Sequence, residues 1–185
     1  MPLQRPRHLL SCAVLGAALL LSACGFQLRG TATEDIPLQE LRLSVQDEYG
    51  QIHRALRESL INHGVRVTDS ARYHLQLQEA DSRRSLGNAS RGGPIERELR
   101  SELTYVISNR DGRLLLGPET LTAQRSYGAD RNNVTGNTEE EQLLRNEMHQ
   151  ELIRQLVLRL SHVSPAVLEA REQALDGSGQ PAPTR

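Results

Sequence analysis

The chain has 185 residues, of which 22 are basic and 23 acidic, so its formal net charge is −1. That balance excludes the strongly basic class of nucleic-acid-binding domains, and we expect no nucleic-acid partner. The sequence contains no lysine, so every member of the Lys and Arg class is arginine. Aromatic residues make up 3% and tryptophan is absent, so the core must be built mainly from leucine, isoleucine and valine.

The N-terminus has the layout of a secretory signal. Arg5 and Arg7 precede an almost entirely apolar stretch over 9–21, and small residues follow it before Cys24. A positive end, an apolar core and small residues at the cut are typical of an exported precursor. A permanent membrane helix is the alternative, but the stretch is shorter than the roughly 20 residues that a span needs. The ending Leu-Ser-Ala-Cys resembles the bacterial lipobox, which predicts that 1–23 is a signal peptide that is removed.

Lipidation of Cys24 follows from that interpretation. The thiol would take an S-diacylglyceryl group and the new amino group an N-acyl chain, and two or three chains anchor a protein stably where one does not. Cys12 would leave with the signal, so the mature chain would have no disulfide and no cysteine metal site. Loss of Arg5 and Arg7 takes the net charge from −1 to −3. Because Gly25 rather than Asp follows the cysteine, we expect a lipid anchor at the outer membrane, on its periplasmic side.

The first half of the mature chain predicts a strand, a helix and a strand. Leu41, Leu43 and Val45 alternate with polar residues, as in a strand with one buried face. Apolar residues recur at helical spacing over 51–63, and Gly64 follows where a helix C-cap belongs. Alternation returns over 65–84, which predicts a second strand.

The second half predicts a long hairpin and a long helix. A glycine-rich turn over 87–94 leads into a strand over 95–107, and a turn at 109–112 leads into a fourth strand over 113–127 that Gly117-Pro118 interrupts. Thr138 and the three glutamates after it resemble a capping box, which predicts a helix over 139–160. The strand over 95–107 has the clearest alternation, with Ile95, Leu99, Leu103, Tyr105 and Ile107 on one face and Glu96, Glu98, Arg100, Glu102 and Thr104 on the other.

The element order β-α-β-β-β-α predicts an α+β fold. We expect one domain over 24–164, a two-layer sandwich of two helices packed on a four-stranded mixed sheet. The residues 165–185 are predicted to be a largely disordered tail, in which 166–174 could add a helical turn or two. The second sheet face would be polar, either because water covers it or because it meets another polar, wet surface such as the lumen of an outer-membrane barrel.

Catalytic and metal-binding patterns are missing from the sequence. There is no His-Glu-x-x-His spacing, no Gly-x-Ser-x-Gly elbow and no phosphate loop. The histidines are scattered, and His149 has no partner pattern beside it. Carboxylates two residues apart on the third strand are typical of a solvated surface. We therefore expect no enzyme, no cofactor and no metal site.

The residues that follow the lipobox carry a resemblance to a known family. The stretch Cys-Gly-Phe-Gln-Leu-Arg at 24–29 resembles the start of the LptE family of LPS-assembly lipoproteins, and the order of elements up to about 161 agrees with that family. The resemblance implies a protein that forms a complex with the LptD β-barrel of the outer membrane as its plug. It also implies that the protein assists assembly of the barrel and binds lipopolysaccharide on its way to the outer leaflet.

Lipopolysaccharide carries phosphates, and in a chain without lysine only arginine can meet them with charge-assisted hydrogen bonds. The resemblance points to basic residues on two loops. Arg91, with the nearby Arg83 and Arg84, is the first candidate, and Arg131 is the second. Ordinary solubility is the alternative role for each of these arginines. For the whole chain, the alternative function is a free periplasm-facing lipoprotein that binds a small ligand or a cell-wall component.

Overall fold

A computed structural model describes residues 35–47, 50–86, 95–130 and 132–178. Cys24, Arg91 and Arg131 lie outside the described residues. The described strands are β1 (Glu40–Val45), β2 (Arg66–Val67), β3 (Tyr73–Ser85), β4 (Ile95–Asn109) and β5 (Leu114–Ala129), and the helices are α1 (Gln51–Asn62), α2 (Val134–Ser161) and α3 (Pro165–Ser178).

The strands form one mixed sheet in the order β2-β1-β3-β4-β5. As expected for a β-α-β crossover, β1 is parallel to β3, with Leu43 beside Leu75. β3, β4 and β5 are antiparallel and long, and they extend well past the end of β1. The β4–β5 register shifts beyond Tyr105, where Gly117-Pro118 lies in β5, so β5 continues through the predicted interruption.

The α+β class and the two-layer architecture are confirmed. The helices pack on one sheet face, and the core joins Leu75, Leu103 and Ile107 of the sheet to Leu56 and Leu152 of the helices. The predicted count of four strands is wrong by one. Residues 65–84, which we expected to form one strand, contain both β2 and β3, and two residues are too short a stretch to show alternation.

Helix α1 forms where the apolar spacing predicts it. Ile52, Leu56 and Leu60 recur every four residues and are all buried. Gly64 follows the C-cap with a φ of +82°, a left-handed conformation that glycine adopts without strain. The N–H of Val65 donates to the carbonyl of Leu60 at 3.0 Å and closes the last turn.

Helix α2 begins one turn before its predicted start. Its N-cap is Asn133, whose side chain accepts a hydrogen bond from the Gly136 N–H at 3.0 Å. Asparagine is as good an N-cap as threonine, so the helix begins after Asn133 rather than after Thr138 and gains further helical hydrogen bonds. Thr138, the expected cap, lies inside the helix and donates its hydroxyl to the Val134 carbonyl at 3.0 Å.

The C-terminal segment differs from the expectation of a largely disordered tail. Residues 165–178 form α3, and 179–185 lie outside the described residues. Leu168 is fully buried, and Arg171 donates to the Leu115 carbonyl at 2.7 Å. Glu172 accepts from Arg72 at 2.8 Å and from Asn109 at 3.0 Å. One buried leucine and partners distant in sequence hold this helix, which is why its apolar pattern is weak.

Candidate functional site

A groove lies between the far end of the β3-β4-β5 ribbon and the first turns of α2. Its cavity measures about 250 Å³. The loop 87–94 and residue 131, which carry the predicted arginines Arg91 and Arg131, adjoin it in the chain and lie outside the described residues. Charged and polar side chains dominate its lining: Arg83, Arg97, Asp130, Asn137, Thr138 and Glu141. We call it the arginine groove.

The structure separates two arginines that we expected to act together. Arg83 and Arg84 are neighbours on β3, so their side chains point to opposite faces of the sheet. Arg83 faces α2, where its Nη1 lies 2.8 Å from Glu141 Oε2. Arg84 lies on the other face, with its Nε 2.5 Å from Glu98 Oε1. Of the two, Arg83 lines the arginine groove.

Arg97 is a residue of the groove that sequence reasoning missed. Arg97 lies between Ile95 and Leu99 on the side of β4 that faces the helices, and it is paired with Tyr127 of β5. Within the described part of the chain it forms no ion pair, whereas Arg83 beside it is neutralised by Glu141. The signal was present in the sequence as a charged residue at an inward position of an amphipathic strand. Such a residue needs either a partner or a ligand.

An ionic seam joins β3 to α2 next to the groove. Glu141, Arg145 and His149 are spaced by four residues and share one face of α2. They meet Glu79, Asp81 and Arg83 on the inward face of β3, which alternates by two. The contacts are Arg145 to Glu141 at 2.9 Å, Arg145 to Asp81 at 2.8 Å and His149 Nε2 to Glu79 Oε1 at 2.8 Å.

Partners within the seam fix its protonation states. Burial raises the pKa of the Asp81 carboxyl, but His149 and the charge of Arg145 outweigh it and lower that pKa to about 2. Burial also raises the pKa of the Glu141 carboxyl. Hydrogen bonds from Arg83, Arg145 and the hydroxyl of Tyr127 outweigh this effect and lower that pKa to about 2. Contacts with Asp81 and Glu79 raise the pKa of His149 to about 9. Asp81, Glu141 and His149 are therefore all charged near neutral pH.

The seam also has the donor atoms of a cation site. One atom each from Glu79, Asp81 and His149 lies within 4.8 Å of the other two. The three carboxylates of the seam, however, already face three cations, because Arg83 and Arg145 join a protonated His149. A metal ion would have to displace a proton and compete with Arg145 at Asp81. The seam is therefore a charge-balanced structural link between β3 and α2.

The sheet face away from the helices is polar, as the sequence predicts. Uncharged side chains dominate its centre, where the hydroxyl oxygens of Thr104 and Thr120 lie 2.8 Å apart. Glu98 is only 6% exposed, since Arg84 and Gln124 cover its carboxylate. Helices of the described chain cover only the opposite face. We call this surface the open face: Arg42, Ser44, His74, Gln76, Gln78, Ser82, Arg84, Glu98, Arg100, Glu102, Thr104, Thr120, Thr122 and Gln124.

A membrane-spanning helix is not among the described elements, because none of them is both long and apolar enough to cross a bilayer.

Comparisons with known proteins by sequence point to one family. A family model described as LptE, lipopolysaccharide-assembly, matches residues 38–160. The LPS-assembly lipoprotein LptE of Pectobacterium atrosepticum is 31% identical over 162 residues, 83% of this chain and 86% of the relative. The protein of the same name from Photorhabdus laumondii is 25% identical over 90% of this chain and 94% of the relative.

Solved structures share the fold. A minor lipoprotein from Acinetobacter baumannii aligns with a TM-score of 0.56 and 24% identity, covering 66% of this chain and 92% of that one. A lipoprotein B from Nitrosomonas europaea aligns with a TM-score of 0.62 and 18% identity, covering 79% and 96%. Since the family model spans the sheet and both helices α1 and α2, this chain belongs to the LptE family of lipopolysaccharide-assembly lipoproteins.

Proposed function

We propose that this chain is a non-enzymatic outer-membrane lipoprotein that acts in lipopolysaccharide transport as a partner of the LptD β-barrel. The family match over residues 38–160 carries this proposal, and relatives covering most of the chain have the name LPS-assembly lipoprotein. In this role the domain would serve as the plug of the barrel, assist its assembly and bind lipopolysaccharide during delivery to the outer leaflet.

The open face supports the role of a plug. Barrel lumens of the outer membrane are polar and wet, so a domain lodged inside one needs a polar surface rather than an apolar one. The centre of this face offers hydroxyl and amide groups, such as those of Thr104, Thr120 and Gln124, that can hydrogen-bond to a lumen wall or to trapped water. Its carboxylate Glu98 is already neutralised by Arg84, which removes the cost of burying a lone charge against the wall.

The arginine groove supports lipopolysaccharide binding. Arg97 is a cation without an ion-pair partner within the described residues, and it lines a cavity whose other lining side chains are mostly polar. Arg91 and Arg131, the candidates that the sequence singles out, belong to the chain segments next to this groove. Arg83 and Arg84 are each paired with a carboxylate, so in this proposal they support the site while Arg97 and Arg91 contact phosphate.

Lipid on Cys24 would hold the domain at the membrane. A lipoprotein attached in two ways, by acyl chains and by the barrel, would keep the domain close to the barrel during assembly. The S-diacylglyceryl and N-acyl groups would supply the two or more chains that stable anchoring requires.

Co-purification tests the proposal directly. The tagged lipoprotein, expressed at its native level and extracted gently from the outer membrane, should bring down a large β-barrel in about equal amount. Its recovery as a monomer would contradict the plug role and favour a free lipoprotein that binds a small ligand or a cell-wall component. A matched control is another tagged outer-membrane lipoprotein of the same cells, which should not recover the barrel.

A further inference from the structure

A second polar cavity lies at the opposite end of the sheet from the arginine groove. It measures about 300 Å³ and lies where β1 and β3 begin and β4 ends. Arg42 and His74 reach it from the open face, Asp69 and Ser70 from the loop before β3, and Arg110 from the turn after β4. We call it the tether-end pocket.

Backbone carbonyls rather than a carboxylate hold Arg110 in place. Its Nη2 donates to the Ser70 carbonyl at 2.6 Å and its Nε to the Ala71 carbonyl at 3.5 Å. These bonds neutralise no charge and leave Nη1 without a partner among the described residues. The guanidinium is therefore oriented in the wall of the pocket while its charge remains uncompensated.

Arg42 adds a second uncompensated cation to the same pocket. Other arginines at this end are paired: Arg66 with Glu40 at 3.4 Å, Arg72 with Glu172 at 2.8 Å and Arg113 with Asp176 at 2.5 Å. Among the described residues, neither Arg42 nor Arg110 forms an ion pair. Asp69 also lines the pocket, which leaves one net positive charge when His74 is neutral.

His74 lies in the pocket, where both burial and the charge of Arg42 act on its pKa. Its Nε2 lies 2.8 Å from Ser44 Oγ and its Nδ1 3.2 Å from Gln76 Nε2. Burial and then the charge of Arg42 lower the pKa of His74 below its usual range. An anion bound beside Arg42 would offset the charge of that arginine and would raise the pKa of His74.

The pocket lies at the end of the domain from which the chain leads back toward Cys24. The N–H of Ile36 donates to the His63 carbonyl at 3.3 Å, which fixes the entering chain beside the start of β1. Asp35 comes eleven residues after Cys24, and a chain of that length reaches at most about 40 Å. A lipid on Cys24 would therefore keep this end of the domain near a surface of phosphate headgroups.

We propose that Arg42 and Arg110 bind the phosphate of an anionic phospholipid headgroup and so hold the tether end of the domain against the membrane. Two guanidinium groups supply several charge-assisted hydrogen bonds that suit a phosphate, and Ser70 and neutral His74 complete a polar lining. The lipid source rests on the proposed lipidation of Cys24, but the phosphate chemistry of the pocket does not.

Arginine modification tests this pocket in the intact lipoprotein. The full mature chain would be placed in nanodiscs of phosphatidylcholine, with or without phosphatidylglycerol, and treated with an arginine-specific dicarbonyl reagent. Peptide mass spectrometry should show that Arg42 and Arg110 react about threefold more slowly in the discs with phosphatidylglycerol. Arg57 on α1, which also forms no ion pair among the described residues, is the matched control and should react equally in both.

A second arm uses inorganic phosphate on the same protein in neutral detergent. Phosphate should protect Arg42 and Arg110 from the reagent and should raise the pKa of His74 followed by NMR. In the double variant R42Q/R110Q, phosphate should no longer change the pKa of His74. Protection by phosphate with no difference between the two discs would overturn the lipid source. An absence of protection in both arms would overturn the pocket itself. Mass measurement of lipid on Cys24 and co-purification of the barrel are separate readouts, so failure of the proposed function would be recognised independently.

Discussion

His149 on α2 and Glu79 on β3, seventy residues apart in the chain, meet at 2.8 Å across the ionic seam. Both residues occupy positions at which an amphipathic strand or helix ordinarily has an apolar side chain. Beyond the end of β1, β3 has no neighbouring strand on that side among the described residues, and the seam holds its outer half to α2. Paired charges replace apolar packing there, and the pairing should make stability depend on pH.

The seam predicts a stability maximum on the acidic side of neutrality. Asp81 and Glu141 have pKa values of about 2, below the ordinary carboxyl value of about 4. Their contribution to the free energy of unfolding is therefore complete above about pH 4 and is lost as the pH falls toward 2. His149 has a pKa of about 9, above the ordinary value of about 6.5, so its contribution is complete below 6.5 and is lost as the pH rises through 9. We expect the greatest contribution between about pH 4.5 and 6.5.

Urea unfolding across this range checks the prediction. The variant H149Q should lower the free energy of unfolding by about 1–2 kcal/mol at pH 6 and should flatten the alkaline side of the profile. H53Q on α1 is the matched control, because His53 forms no ion pair within the described residues, and it should keep the wild-type profile. An alkaline limb that persists in H149Q would show that another group causes it.

The seam also shows how far the sequence could predict this fold. Strand alternation and helix spacing identify β1, β4, β5, α1 and α2 because each element has its own apolar stripe. Glu79, Asp81 and Arg83 at inward positions of β3 make sense only once Glu141, Arg145 and His149 are known to face them. Nothing local to either stretch reveals that match.

The candidate site was predictable in part for a related reason. The resemblance to the LptE family points to basic residues near two loops, and in a chain without lysine these are Arg83, Arg84, Arg91 and Arg131. Strand alternation predicts that the neighbouring side chains of Arg83 and Arg84 point to opposite faces, so the two cannot both line the groove. Arg97 was not predicted as a site residue, because the apolar Ile95 and Leu99 on the same face dominate the pattern of β4.

Tyr127 offers a test of the hydrogen bonds within the seam. Its hydroxyl donates to Glu141 Oε2 at 2.9 Å, so Y127F should lose about 1 kcal/mol of the free energy of unfolding. Tyr73 is the matched control, because its buried hydroxyl has no hydrogen-bond partner within the described residues. Y73F should therefore be neutral or slightly stabilising. Equal losses in both variants, measured by urea unfolding, would mean that the bond to Glu141 contributes nothing.

Gly117 should be the least replaceable glycine of the β4–β5 hairpin. Its φ is +91°, and a Cβ added there would lie 2.6 Å from the Tyr105 carbonyl oxygen. Gly112 has a similar φ of +77° but no atom within 4 Å of such a Cβ. We expect G112A to cost about 1 kcal/mol from the backbone alone and G117A about 2–4 kcal/mol. A G117A variant no less stable than G112A in urea would contradict the clash.

Lipopolysaccharide binding should depend on the arginine groove and not on the barrel contacts. R91D and R97Q should each weaken binding of the purified lipoprotein to lipopolysaccharide about fivefold or more, because each removes a cation that can meet phosphate. Recovery of the barrel with the tagged protein should stay at the wild-type level. R54Q on α1 removes the same charge away from the groove and should leave binding unchanged. Wild-type binding by both R91D and R97Q would place the ligand site elsewhere.

The absence of lysine turns amine chemistry into a direct test of the lipid anchor. In a mature chain that begins at Cys24, the α-amino group of that cysteine is the only primary amine that the sequence supplies. If this amine is acylated, an amine-reactive ester should leave the purified lipoprotein unlabelled, and mass spectrometry of the N-terminal peptide should show the acyl chain. Residues 25–185 expressed after a starting methionine keep a free amine and should be labelled once per chain. One label per lipoprotein would mean that the α-amino group of Cys24 is free and has no N-acyl chain.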